Sequence, residues 1–431
     1  MLKSLLFVTD SYFALTGFAK VGRYIVNYLA KHGNFEIHYL CWFDPKVKKI
    51  IEPNPKIKYY TTKDNTKYLL EVDKYGAVTF PELYNELQTD IVFTVGDIWM
   101  IIPYIESIYR NRYKLVSYIP LDAEPMPILM NARFGKFNWI ELIGNIDIPV
   151  AYTKWSMNVM NKRFLEAGLK EKVKHFIHHG VDTNIFKPLD IDKAKLREKL
   201  FGKEYKDKTV IGVFSRNQKR KSFFTQMDAL RYILDHYPED GKNLYLYFHA
   251  SPHDPMGWDM HQIAKDIGVH DRIIWTDKID TGFGVGCTDE EVNEYFNACT
   301  ITVSNHTSEG FGLCLAESMA AGVPVLATDY SANTSWGIID GKKAYIPLNP
   351  VIKIIIPEQG TRRAYVDPKH EAEMILQVLT DRGMYNEYRN RGLALAHKLT
   401  WDNVCQEWLE LLDSIDTNKK IEEIDSFFIS I

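Results

Sequence analysis

The stretch SNHTSEGFGLCLAESMAAGVPVLATD, residues 304–329, decides the fold. It begins where an apolar run, TITVS (300–304), ends. Glu309, Gly310, Phe311 and Gly312 then make a turn, and Leu313 to Ala321 has the pattern of a helix. Gly322 stops that helix and Pro324 opens the next apolar run. The glycines let backbone N–H groups come close to a ligand, and the positive end of the helix favours a phosphate. Glu309 precedes the helix, and Glu317 follows it by eight residues, inside the helix. Two carboxylates so spaced can bind hydroxyls at the two ends of one extended ligand, a sugar and a ribose.

The same alternation runs outward in both directions. Short apolar runs at 5–9, 36–42, 90–95, 114–119, 148–153 and 173–179 alternate with longer amphipathic stretches. Near-continuous apolar runs separated by helical patterns predict parallel strands covered on both faces, the doubly wound α/β arrangement. The segment HHGVDTNIFKPLD (178–190) breaks the rhythm, and it restarts at 209–215, 243–250, 272–276, 300–304 and 323–329. Two Rossmann-like domains are expected, 1–185 and 186–399, facing each other across a cleft. Ligands of open parallel sheets lie beyond the carboxyl ends of the strands, so functional residues are expected just after them.

Composition narrows the function classes. A chain of 431 residues accommodates two domains, and a formal net charge of -4 offers no basic field for nucleic acid. The five cysteines, Cys41, Cys287, Cys299, Cys314 and Cys405, are scattered and form no CxxC pair. A disulfide framework or zinc site is not expected, and a reducing cytoplasm is. No apolar run reaches the ~18–20 residues of a membrane span. The short run at 5–9 reads as a buried strand rather than a signal peptide.

A second cluster follows the run at 209–215. In VFSRNQKRKSF (213–223), Arg216 comes after a strand end and Lys221 five residues later. A diphosphate has two charges to neutralise; Arg binds it bidentately and Lys as a point charge. Lys219 and Arg220 add two further cations to this loop.

The 304–329 stretch resembles the EGFGLxxxEAMAxGxPVxAT signature of the retaining glycosyltransferases of family four, which have the GT-B fold. The resemblance implies that Glu309 touches the donor sugar and Glu317 the ribose, with Gly310, Phe311, Gly312 and Leu313 lining the phosphates. VFSRNQKRKSF is similar to the family's Gly-Arg-x-x-x-x-Lys-Gly element, with Arg216 and Lys221 as diphosphate binders and Ser215 and Ser222 in place of the glycines. HHGVDTNIFKP resembles the family's interdomain stretch, with His179 where Asn is common. LTWDNVCQEWLELLDSI (399–415) resembles the closing helix that packs back on the first domain, expected here over 400–431. Gly17 stands where the family has a glycine-rich loop beneath the donor phosphates. Many members have a His after the fourth strand; here SYIPLDAEPMP (117–127) has none, leaving Asp122 or Glu124, or Asp97 in VGDIW, as polar candidates. For each of them a capping role is an equal reading.

The implied activity is sugar transfer from a UDP- or GDP-linked donor to a glycan, lipid or protein hydroxyl. No cofactor and no metal are expected, because protein cations neutralise the leaving diphosphate. Glu309, Asp122, Arg216 and Lys221 are the catalytic candidates. Two other readings use the same architecture: an epimerase-like enzyme, and a nucleotide-sugar-binding protein without catalysis. A nicotinamide oxidoreductase is disfavoured, since no GxGxxG follows the first strand. Gly282, Gly284 and Gly286 read as a mobile loop near the base, with Lys278 as a base contact. His253, Asp254 and Asp259 read as a loop rather than a metal site. Cations between Lys154 and Lys174, interleaved with Trp155, Met157, Met160 and Phe164, suggest a solvated helix face or a peripheral membrane contact.

Overall fold

A computed structural model describes residues 2–42, 51–62, 73–132, 135–255, 257–276, 286–357 and 360–417. The first sheet is built from β1 (Lys3–Asp10), β2 (Phe35–Trp42), β3 (Ile57–Thr61), β4 (Ile91–Val95), β5 (Lys114–Ile119), β6 (Ile148–Ala151) and β7 (His175–Phe176). Its order is β3-β2-β1-β4-β5-β6-β7, and every pairing is parallel. The strands are covered on both faces: Leu5, Leu6, Phe7 and Val8 are all fully buried. Order reverses between β1 and β4, so Asp10 at the end of β1, Asp97 after β4 and Asp122 after β5 lie at the carboxyl ends of adjacent strands near the switch point.

The second sheet repeats the plan with β8 (Thr209–Phe214), β9 (Leu244–His249), β10 (Ile273–Ile274), β11 (Ile301–Ser304), β12 (Val325–Thr328) and β13 (Ile346–Leu348). Its order, β10-β9-β8-β11-β12-β13, is again all parallel. The switch point lies between β8 and β11, which are followed by the 215–221 loop and by Glu309. An antiparallel ribbon, β14 (Pro350–Ile356) and β15 (Thr361–Val366), follows β13.

The chain then returns to the first domain. Helix α5 (Trp401–Asp413) packs against α1 (Gly17–His32), with the Trp401 ring stacked on Tyr24 at 4.6 Å. Trp408 is fully buried against Phe93 and Tyr118, at 4.6 and 4.8 Å between ring centres. Val181 N–H donates to the Leu399 carbonyl at 2.7 Å. A Cβ at Gly180 would lie 2.6 Å from Trp401 Cα, so the glycine of the interdomain stretch permits this crossing. The expected helix over 400–431 ends at Asp413, and residues 418–431 lie outside the described residues. The five cysteines are free thiols. Among the described residues, no helix is long and apolar enough to cross a membrane.

Candidate functional site

The loop after β8 and the loop after β11 meet because their strands are neighbours. Thr307 fastens them: its N–H and its hydroxyl both donate to the Arg220 carbonyl, at 2.9 and 3.1 Å. A short turn at Lys219–Lys221 then aims two cations at Glu309. Lys221 Nζ donates to Glu309 Oε2, and Arg220 Nη1 donates to the same oxygen at 3.1 Å. His306 Nδ1 is 2.9 Å from it. Since Lys221 donates toward His306 Nε2 at 3.4 Å, the ring proton belongs on Nδ1, facing Glu309. Burial alone would raise the pKa of Glu309, but Arg220, Lys221 and His306 outweigh it and hold the carboxyl well below its ordinary range. Burial, with Lys221 beside it, pushes His306 down to about 4, so the ring is neutral at pH 7. The Glu309 backbone is fixed as well, its N–H donating to Ser331 Oγ at 2.9 Å.

Helix α4 (Leu313–Ala320) starts beside this cluster. Its cap residue, Gly312, has φ +89° and caps through no side chain, so the first amides of the helix are left for other acceptors. Glu317 is nearly buried on α4, and its partner comes from the other domain. Lys20 Nζ, on α1, is 2.7 Å from Glu317 Oε1 and 2.7 Å from Asp289 Oδ1, at the start of α3 (Asp289–Ala298). Burial raises the pKa of Glu317 despite Lys20, whereas the two carboxylates overcome burial and raise that of Lys20.

The first domain faces this site with acids. Asp122 Oδ2 lies 3.3 Å from Arg363 Nη1 and 3.6 Å from Arg220 Nε. Arg363, on β15, also donates to Ser308 Oγ. Burial, and then the neighbouring Asp122, push Asp97 up to about 7. Asp10 is raised by burial too, and accepts from Thr16 Oγ1 at 2.5 Å. Gly17 opens α1, and a Cβ there would stand 3.8 Å from Leu313 of α4.

The family model described as Glycosyl transferases group 1 matches residues 208–380. Mannosylfructose-phosphate synthase of Agrobacterium fabrum is 20% identical over 75% of this chain. That alignment spans 65% of the relative's own length, so under two thirds of it is covered. Among solved structures, sucrose-phosphate synthase of Thermosynechococcus elongatus aligns with a TM-score of 0.70 at 14% identity, over 95% of this chain and 98% of the other. Anabaena HepE in complex with UDP and glucose gives 0.65 at 15% identity, over 96% and 100%. The fold is GT-B, as the resemblance implies.

The arrangement differs from the expected one at several residues. Arg216 does not join Lys221; its guanidinium is bidentate on the buried Asp254, at 2.6 and 3.3 Å. Arg220 stands at Glu309 instead. The run Lys219-Arg220-Lys221 was the available signal, but spacing could not choose among three adjacent cations. The Phe311 ring is stacked on Trp336 at 4.5 Å and packed on His179 at 4.6 Å, so only its backbone is available to a ligand. Lys278, Gly282 and Gly284 lie outside the described residues. Asp259 caps a helix by accepting from Gln262 N–H, and the described residues hold no group of three metal-ligating side chains. On α2 (Lys154–Glu166) Met160 and Phe164 are buried in the core and Trp155 and Met157 pack against it, so the face proposed for a membrane contact has little apolar surface to offer. Lys20, Asp289, His306 and Arg363 had no motif to announce them.

Proposed function

We propose that this chain transfers a sugar from a nucleoside diphosphate donor to an acceptor hydroxyl, with retention at the anomeric carbon. The observation that carries the reading is the Glu309 cluster: a buried carboxylate held ionised by two cations, at the carboxyl end of a strand and beside an uncapped helix start. Lys221 and Arg220 are then the diphosphate partners, shared between the carboxylate and the phosphate oxygens. Arg216 holds Asp254 through Nε and Nη2, so a phosphate would meet it at Nη1. The amides of Phe311, Gly312 and Leu313 receive the β-phosphate, and Gly17 leaves room above it.

As the bond to the leaving diphosphate breaks, negative charge grows on oxygens already facing these donors. Stabilisation by groups in place at the start is the main source of rate in such a site. Glu309 accepts from a donor-sugar hydroxyl and Glu317 from the ribose. Asp122, on the acceptor side, stands where it can accept from a sugar hydroxyl and orient the acceptor. Because side-chain cations supply the neutralising charge, activity is expected to survive excess EDTA.

The relatives' names, both sugar-phosphate synthases, and the UDP and glucose bound to HepE support a nucleotide-sugar donor. The test is a panel of UDP- and GDP-sugars. A donor at ~100 times its Kd stabilises the fold by about 2.7 kcal/mol, read as a rise in Tm. Product configuration is then read by NMR. No stabilisation by any member would remove the donor site, and an inverted product would remove the retaining mechanism.

A further inference from the structure

The outermost ribbon carries the densest run of bare apolar side chains among the described residues. In β14, Val351, Ile352, Ile354 and Ile355 are 67%, 51%, 46% and 53% exposed. They are four of the twelve exposed large hydrophobics among the described residues, within one strand of seven. Scattered exposed apolar residues are ordinary, but a contiguous group marks a surface that something covers. Successive strand residues face opposite sides, so the ribbon bares apolar groups on both faces.

β15 is the inner strand and fastens the ribbon. Ala364 N–H donates to the Thr307 carbonyl at 2.8 Å, and Arg362 N–H crosses to the Glu124 carbonyl of the first domain at 2.7 Å. Arg363 is held by Ser308 and Asp122. Tied to both domains, the ribbon cannot turn its isoleucines inward.

The edge itself is blunted. Pro350, Lys353 and Pro357 on or beside β14 oppose the addition of another strand, which argues against a second copy pairing there. A folded partner covers one face of a ribbon, whereas a fluid apolar medium covers both. Two exposed cations stand among the apolar groups: Lys353, whose Nζ lies 4.6 Å over the Tyr330 ring, and Arg362. Long cationic side chains bury their stems and keep their charge at the headgroups of an anionic surface.

We propose that the β14–β15 ribbon docks this protein on an anionic lipid surface, with its isoleucines at the acyl boundary and Lys353 and Arg362 at the phosphates. The loop carrying Asp122 and Glu124 is then held next to that surface. Docking is read without turnover, so it stands or falls separately from sugar transfer.

The experiment is flotation of the full chain with phosphatidylcholine vesicles, with and without phosphatidylglycerol. Wild type should float with the anionic vesicles, less so at high salt. The triple variant Ile352→Ser, Ile354→Ser, Ile355→Ser should lose about tenfold or more in partitioning. Lys353→Glu, which leaves the apolar surface intact, should weaken binding and flatten its salt dependence. Unchanged Tm shifts with UDP or GDP show that each variant retains its fold. Wild type left in the pellet, or a triple variant that floats as well as wild type, overturns the proposal. A concentration-dependent dimer on sedimentation that the triple variant dissolves also overturns it, in favour of a second copy.

Discussion

Glu309 and Glu317 lie eight residues apart on one turn and helix, both nearly buried, yet they are held in opposite ways. Glu309 finds its side-chain partners within its own domain, and the charges of Arg220 and Lys221, with the His306 hydrogen bond, keep it ionised. Glu317 relies on Lys20 from the other domain, and its pKa stays above the ordinary value. The first site is therefore built within one domain, while the second spans both.

The largest expected effect tests the first half of this contrast. Glu309→Gln keeps the shape but frees Arg220 and Lys221 from a carboxylate; turnover should fall roughly 10²–10³-fold, the usual cost of losing one preorganised polar contact at the reacting centre. Binding of the bare nucleoside diphosphate, measured by calorimetry, should hold or improve, because the cations lose a competitor. Weaker nucleotide binding in that variant would break the assignment of Glu309 to the sugar end.

Lys221→Ala comes next. A charge-assisted hydrogen bond contributes about 1.5–3 kcal/mol, so nucleoside diphosphate affinity should fall on the order of 10- to 100-fold. Arg220→Ala should act similarly and Arg216→Ala less, given its pairing with Asp254. The reverse ranking of the two arginines would show that the 215–221 loop rearranges when ligand binds.

Lys20→Met sharpens the second half. Removing the cation takes away what lowers the pKa of Glu317, so its carboxyl protonates closer to neutral pH. Nucleoside affinity should drop severalfold, and its decline on acidification should begin at higher pH than in wild type. Lys20→Arg should restore the wild-type profile. Equal losses at every pH would point to a purely structural role for Lys20.

The smallest effect concerns the acids of the first domain. Asp97 has a folded pKa of about 7 against an ordinary value of 3.8, so between those limits the folded state holds a proton that the unfolded state has released. Its contribution to stability is therefore full below about pH 4 and is lost as pH rises toward 7. Asp97→Asn should flatten that part of the denaturation profile. For Asp122→Asn, turnover should fall with donor affinity nearly unchanged, whereas a capping role would lower Tm and leave turnover normal.

The sequence by itself determined the two parallel sheets, the turn-and-helix segment and the positions of Glu309, Glu317 and Lys221. These are local matters: apolar runs of strand length, glycines where a turn needs them, and residues within one loop or one helix. It could not choose between Arg216 and Arg220. That choice depends on Asp254, 38 residues away, taking one guanidinium, and on Thr307 holding the turn that aims the other. Nor could it find Lys20, which lies 297 residues from Glu317, or Arg363, which lies 241 from Asp122. Nor did it show the isoleucines of β14 to be bare, which only tertiary packing decided. Long-range pairing across two domains has no periodicity in the chain; it is set by which loops the two switch points bring face to face.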